Sequence, residues 1–488
     1  MQQQQQEEDS NEIDRISCLP DAIIHQIYST LDTKQIFQAS ILSNRWRYLW
    51  KSIHTLHFNL DNYTTIDQIR RNDFVDQILF LRDEIDVEKF TFSCHGELNA
   101  ARLYIWLIFI LRFHVQEIIL DLNLFEPFEF PEEIFGSDVK VLSLNRMGMY
   151  GIQMPSLMCN AGMIRSLELI SVKFPYGDDD GELVLNCGVL KNLVLINCVI
   201  SHLYMLTISP PLLENLEFRD EFDGVGYCKV KICTPCLKSV KYVGPMFDDI
   251  LVEKLSSLES ADLDVYRIRY YAIEKEMYAQ RLMNVLTGIY NTRTLTLSLS
   301  LLKTLTKLPD IIEKLPNLLR NLKCMNLTNQ WDDETCICPV ASILERLPHI
   351  ESLVWERTKT RHFQGDLSKR HDSCICAILE KLPPVQAHLW ERKKVTWLGS
   401  TNTLDISGES LPKQYVFHCL KTIKIRNPRE FGSEIKIMEF LLKRAIALKE
   451  IIISTTEEQS RDEKMLAEFC ELLSELPRAS SSVLIHFQ

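Results

Sequence analysis

Residues 190–198, LKNLVLINC, carry the pattern that organises this chain: Leu190-x-x-Leu193-x-Leu195-x-x-Cys198. Alternate residues of a strand point to the same side, so Leu193 and Leu195 face inward together. Leu190 and Cys198 seal the turns on either side of them. The same spacing recurs upstream at Val139…Leu142-x-Leu144 and Ile164…Leu167-x-Leu169. It recurs downstream at Leu213…Leu216-x-Phe218 and Leu237…Val240-x-Tyr242. Later copies are Leu258…Ala261-x-Leu263, Thr292…Leu295-x-Leu297, Leu322…Met325-x-Leu327 and Ile350…Leu353-x-Trp355.

Between residues 142 and 353 the equivalent middle positions step by 25, 26, 23, 24, 21, 34, 30 and 28. That is the period of a leucine-rich repeat, about 20–29 residues, with overlong members after Tyr266. A single unit cannot bury its own apolar face, so neighbours must stack into a curved solenoid, a horseshoe of α/β class. Cys198 stands where such a repeat takes a small buried Asn or Cys. Stacking of this kind also accounts for a chain with 16 glycines and 15 cysteines in 488 residues. An odd number of scattered cysteines is not a disulfide framework, and they read as reduced thiols of a cytoplasmic or nuclear protein.

The balance of 54 Lys+Arg against 66 Asp+Glu, net −12, argues against a generic nucleic-acid binder. The opening MQQQQQEEDSNE reads as a polar tail over residues 1–12, without the apolar core of a signal peptide. Leu103–Leu111, LYIWLIFIL, is about half the length a spanning helix needs and reads as a buried core segment. No membrane association is expected.

Residues 13–53 form a separate helical unit. Pro20 suits the start of a helix, and Ile23, Ile24, Ile27 and Leu31 follow at helical spacing. Asp32 with Gln35 is a capping pair that opens a second helix, Thr33–Ser40. Ser43 caps a third, which carries Trp46, Leu49 and Trp50. Three short helices bury little surface alone, so the unit is expected to complete a core with a neighbour or a partner.

At the other end, Leu420-x-x-Ile423-x-Ile425 and Leu448-x-x-Ile451-x-Ile453 repeat the strand pattern. A helix is expected over Ile435–Leu448, with Ile437, Phe440, Leu441 and Ala445 on one face. A second is expected over Asp462–Leu476 and a last strand over Ser482–Phe487. Together they make a small α+β cap on the array.

No catalytic or cofactor signature occurs. The Cys336-Ile-Cys338 and Cys374-Ile-Cys376 pairs, with His349, His362 and His371 between them, lie in apolar helical patterns and read as buried thiols. Zinc modules space their paired ligands by two to four residues. Cys233-Thr-Pro-Cys236 leads into a repeat strand and also reads as structural. Asp178-Asp179-Asp180-Gly181-Glu182 lacks the ligand spacing of a calcium loop and reads as a solvated inter-repeat loop. Neither a metal nor a cofactor is expected, and the chain does not read as an enzyme.

Residues 14–50, DRISCLPDAIIHQIYSTLDTKQIFQASILSNRWRYLW, closely resemble a plant-type F-box. The marks are Asp14-Arg15-Ile16-Ser17, Leu19-Pro20-Asp21, Thr33-Lys34, Leu42-Ser43 and Arg45-Trp46-Arg47-x-Leu49-Trp50. Asp32 and Asn44 depart from the family's commoner residues. Cys419-Leu420-Lys421, Phe431-Gly432, Leu448-Lys449 and Leu476-Pro477-Arg478-Ala479-Ser480-Ser481-Ser482 are similar to the FBD domain of the same plant family. The resemblance implies an F-box at 13–53, a leucine-rich-repeat solenoid at 54–392 and an FBD cap at 393–488. It implies a non-catalytic substrate receptor of an SCF-type, cullin-based ubiquitin ligase. A Skp-family adaptor would bind through Leu19, Pro20, Ile23, Ile27, Leu31, Leu42, Trp46, Leu49 and Trp50, and a target protein through the repeats. The alternatives are a non-degradative repeat scaffold and a small-molecule sensor. Exposed loops around Asp220–Tyr227 and Thr358–His371 are candidates for target specificity.

Overall fold

The computed structural model describes residues 18–41, 46–61, 68–96, 98–147, 151–220, 228–246, 249–253, 255–266, 275–329, 337–357, 416–427, 431–455, 469, 471–480 and 482–487. They belong to two compact units, one of residues 1–237 and 247–253, the other of 238–246 and 254–488.

The first unit opens with α1 (Asp21–Tyr28), α2 (Thr33–Ala39) and α3 (Trp46–Leu49), the last running into a 3-10 turn at Trp50–Ser52. The chain then enters a parallel sheet of seven strands: Thr55–Asn59, Lys89–Cys94, Glu117–Asn123, Val141–Met147, Ser166–Ile170, Asn192–Ile196 and Asn215–Arg219. Consecutive strands pair in register, so Leu142, Leu167, Leu193 and Leu216 stack in one inward row. Leu144, Leu169, Leu195 and Phe218 make the next. All eight are buried, and the residues between them face outward and are at least partly accessible. The inward pair read from LKNLVLINC is therefore a row shared by every repeat.

Ser171 and Asn197 sit immediately after equivalent strands and adopt left-handed backbone, with φ of 57 and 53°. Asn427 does the same in the second unit, with φ of 55°. The position ends each strand sharply, and Asn is among the residues that tolerate such a conformation best. Cys198 follows directly. Its thiol points at the Leu169 carbonyl at 3.3 Å and the Ile196 carbonyl at 3.6 Å, and burial pushes its pKa up to about 12.

The return segments explain the uneven period. Four of them in the first unit are themselves strands, Glu182–Leu185, Met205–Ile208, Lys229–Ile232 and Asp249–Val252, paired in a second parallel sheet. The sequence pattern did not announce this sheet, because its strands are four residues long. Further along, the returns are helical: α6 (Lys275–Gly288), α7 (Leu299–Thr306), α8 (Pro309–Leu318) and α9 (Ile337–Arg346). A helix advances about 1.5 Å per residue and a strand about 3.3 Å, so a helical return needs more residues to span the same layer. The steps of 34 and 30 fall where α6, and then α7 with α8, are inserted.

The first unit also contains α4 (Gln68–Leu81) and α5 (Ala100–Ile110), packed on its early strands. Only half of the predicted core segment in α5 is core. Leu103, Trp106, Leu107 and Ile110 are buried, whereas Tyr104 and Ile105 are exposed.

The second unit has eight parallel strands: Ser239–Pro245, Ser260–Tyr266, Thr294–Ser298, Cys324–Asn329, Ser352–Arg357, Thr422–Arg426, Glu450–Ser454 and Leu484–Phe487. The helix expected over Ile435–Leu448 is α10, Phe431–Leu442. It buries Ile437, Phe440 and Leu441, while Ala445 is buried in the bridge that follows. Residues 1–12, most of the expected 462–476 helix, Leu42, Ser43, Cys336, Cys374, Cys376, His362, His371, most of 220–227 and all of 358–371 lie outside the described residues.

Candidate functional site

The three N-terminal helices are built around a small interior. Asp32 closes a reciprocal cap on α2: Gln35 N–H donates to Asp32 Oδ1 at 2.7 Å, and Asp32 N–H donates to Gln35 Oε1 at 3.1 Å. Ile24 and Tyr28 of α1 are buried, and so is Ile36 of α2. Tyr28 packs edge-on against Trp46, with ring centroids 5.4 Å apart. Trp50 is buried too, and Phe37 lies against it at 5.6 Å.

Three links fasten these helices to the residues that follow them. Thr33, itself buried, accepts a 2.8 Å hydrogen bond on Oγ1 from the His57 N–H of the first strand. Phe37 also touches Phe74 of α4 at 5.9 Å. Arg82 donates from Nη2 to the carbonyls of Ile53 and Ile85, at 3.2 and 2.9 Å, and lies over the Phe113 ring. Burial lowers the Arg82 pKa to about 10.

Among the outward side chains are several large apolar ones. Ile41 at the end of α2 is 84% exposed, the largest value among the exposed large apolar residues described, and Tyr48 of α3 is 62% exposed. Ile23 and Phe37 are also exposed. Of the residues expected to bind the adaptor, Pro20 and Ile23 are exposed, and Leu19, Ile27, Leu31 and Leu49 are half-buried. Leu42 lies outside the described residues. Trp46 and Trp50 are almost wholly buried and belong to the unit's own interior. Spacing placed Ile23 and Ile24 on one broad stripe, and only packing separates the outward residue from the inward one. Ile41, Phe37 and Tyr48 escaped sequence reasoning. Ile41 lies beyond the last turn of its helix, where periodicity carries no signal.

Residues 16–58 match the F-box domain family. The match covers the three helices and the first strand with its Thr33–His57 link. Over a larger span the chain is 26% identical to a putative F-box protein of Arabidopsis thaliana, with 74% of this chain and 76% of that protein aligned. It is 27% identical to an F-box/LRR-repeat protein of the same plant, with 74% and 75% aligned. A putative FBD-associated F-box protein of Arabidopsis thaliana is 26% identical over 42% of this chain and 51% of its own length. An F-box followed by a parallel-strand repeat array is thus the architecture of this chain. Among the described residues, no helix is long and apolar enough to cross a membrane.

Proposed function

We propose that this chain is the substrate-recognition subunit of an SCF-type ubiquitin ligase. A Skp-family adaptor docks on the outward residues Leu19, Pro20, Ile23, Ile27, Leu31 and Leu49, joined by Phe37, Ile41 and Tyr48. The adaptor links the chain to a cullin, and the repeats hold the target. Trp46 and Trp50 support that surface from beneath. One observation carries the reading: the helical unit fills its own interior and still leaves Ile41 84% exposed. Apolar side chains of this size on an exposed surface are where binding energy concentrates.

No catalytic side chain is needed for such a role. Holding a target beside a ubiquitin-loaded enzyme raises its effective concentration there, and that enzyme does the chemistry. Residues 13–53 are the F-box, 54–392 the repeats and 393–488 an FBD-type cap in this reading.

The test is titration of the full chain with purified Skp-family adaptor. Binding should weaken at least tenfold in Ile41→Glu and in Ile23→Glu, with helix content unchanged. Failure of the wild-type chain to bind the adaptor defeats the proposal. Adaptor binding without recruitment of the cullin would identify a scaffold instead.

A further inference from the structure

α5 is apolar almost all round: between Ala100 and Ile110 its only charged residue is Arg102, which pairs with Asp73 and Asp76 of α4. Its inward face is occupied by Leu103, Trp106, Leu107 and Ile110, and the Trp106 indole donates to Asp76 at 2.6 Å. The opposite face is left to solvent. Ile105 is 55% exposed, Tyr104 is exposed, and Ile108 and Phe109 are half-buried beside them. The end of α4 extends this surface. Phe80, 61% exposed, stands against Phe109 at 4.8 Å, and Leu81 next to it is exposed.

Both flanks of this apolar strip are acidic. Asp83 and Glu84 come just after Leu81 and the buried Arg82, and both are exposed. Across α5, Tyr104 Oη donates to Glu133 at 3.4 Å, with Glu132 close by, and both carboxylates are exposed. Arg112 stacks on Phe109 and closes one end. Arg82 is buried and its charge reaches Asp83, while Glu84, Glu132 and Glu133 keep the rim acidic.

We propose that the outer face of α5, with Phe80 and Leu81 of α4, is a docking surface for an amphipathic helix of another protein. That helix carries an apolar stripe flanked by Lys or Arg. The apolar strip matches the stripe, and the carboxylates on both sides match the basic flanks. A second copy of this chain does not fit, since it would bring its own carboxylates against these. The surface lies on α4 and α5, outside the residues assigned above to the adaptor.

The test uses the full-length chain and a labelled 18-residue helical peptide of Leu and Lys, with the leucines on one face. A matched Leu/Glu peptide is the control. The Leu/Lys peptide should bind, more weakly as salt is raised, and the Leu/Glu peptide should bind at least tenfold less tightly. Phe80→Ser with Ile105→Ser should cost at least tenfold, and Asp83→Lys with Glu84→Lys should reverse the preference between peptides. The second pair keeps the test decisive if the first disturbs folding. Equal binding by wild type and both variants overturns the proposal. So does a wild-type dimer that Phe80→Ser with Ile105→Ser converts to a monomer, or loss of adaptor binding in that variant at unchanged helix content.

Discussion

The Tyr28 ring meets Trp46 at 84° and 5.4 Å, and this edge-on contact joins the first and third helices of the F-box. Both side chains are buried, so the contact lies inside the unit. Trp46→Ala should remove about 3–5 kcal/mol of local stability, as large-to-small changes in a core do. On the proposed function, adaptor binding should then be lost by unfolding, whereas Ile41→Glu should lose it with the helices intact. Amide hydrogen exchange over residues 21–39 separates the two: fast in Trp46→Ala, unchanged in Ile41→Glu.

Among the described residues the buried Tyr28 hydroxyl has no hydrogen-bond partner, and burial pushes its pKa up to about 12. An unsatisfied buried hydroxyl costs about 1–3 kcal/mol. Tyr28→Phe keeps the ring contact and removes that cost, so it should raise the melting temperature. A lower melting temperature in Tyr28→Phe would show that the hydroxyl is satisfied in solution.

Thr33 and His57 couple the F-box to the first strand through one part-buried hydrogen bond. Thr33→Val keeps the shape and orphans the His57 N–H, at a cost of about 1–3 kcal/mol. The expected result is faster exchange at His57 and across α2, with the later strands unchanged. Uniform acceleration across the sheet would contradict a local link.

His95 sits between two carboxylates at the ends of the early strands. Its Nδ1 is 2.8 Å from Asp61 and its Nε2 is 3.4 Å from Asp121, while Asn145 donates to Asp121 and Ser93 to Asp61. Burial alone would lower the His95 pKa, but the Asp61 hydrogen bond and the charges of Asp121 and Asp61 together raise it above the ordinary 6.5. For a histidine raised in the folded state, the stabilisation is complete below about pH 6.5 and is lost as pH rises through the higher folded value. The wild-type melting temperature should therefore fall relative to His95→Gln as pH rises from about 6 to 8. A constant difference between the two across that range would refute the linkage.

Burial holds the thiols of Cys159 and Cys198 up at about 12, and those of Cys187 and Cys228 at about 11. The thiolate is the reactive form, so these four should resist iodoacetamide in the native protein at pH 8. Cys18 and Cys236 are exposed and should label before these four. Peptide mapping by mass spectrometry gives the order.

The repeat strands were legible in the sequence because their signal is local. Two inward residues per strand, spaced by one, recur at a nearly constant step, and Leu193 with Leu195 predicted the rows that the structure contains. The Asp32–Gln35 cap was legible for the same reason, being completed within four residues. The second sheet was not, since strands such as Met205–Ile208 are too short to show a period of their own. Nor was the division of the helical unit into interior and surface. Ile23 and Ile24 are neighbours of the same chemistry, and the packing of Tyr28 on Trp46 decides which of them faces solvent.

By itself, then, the sequence determined the repeated parallel strands and the F-box helices, both of which rest on periodicity and on caps between near neighbours. Only the tertiary structure decided that Trp46 and Trp50 lie inside, that Ile41 and Tyr48 lie outside, and that α5 shows an apolar face to solvent. Exposure depends on what residues distant in sequence leave uncovered, and no local pattern records that.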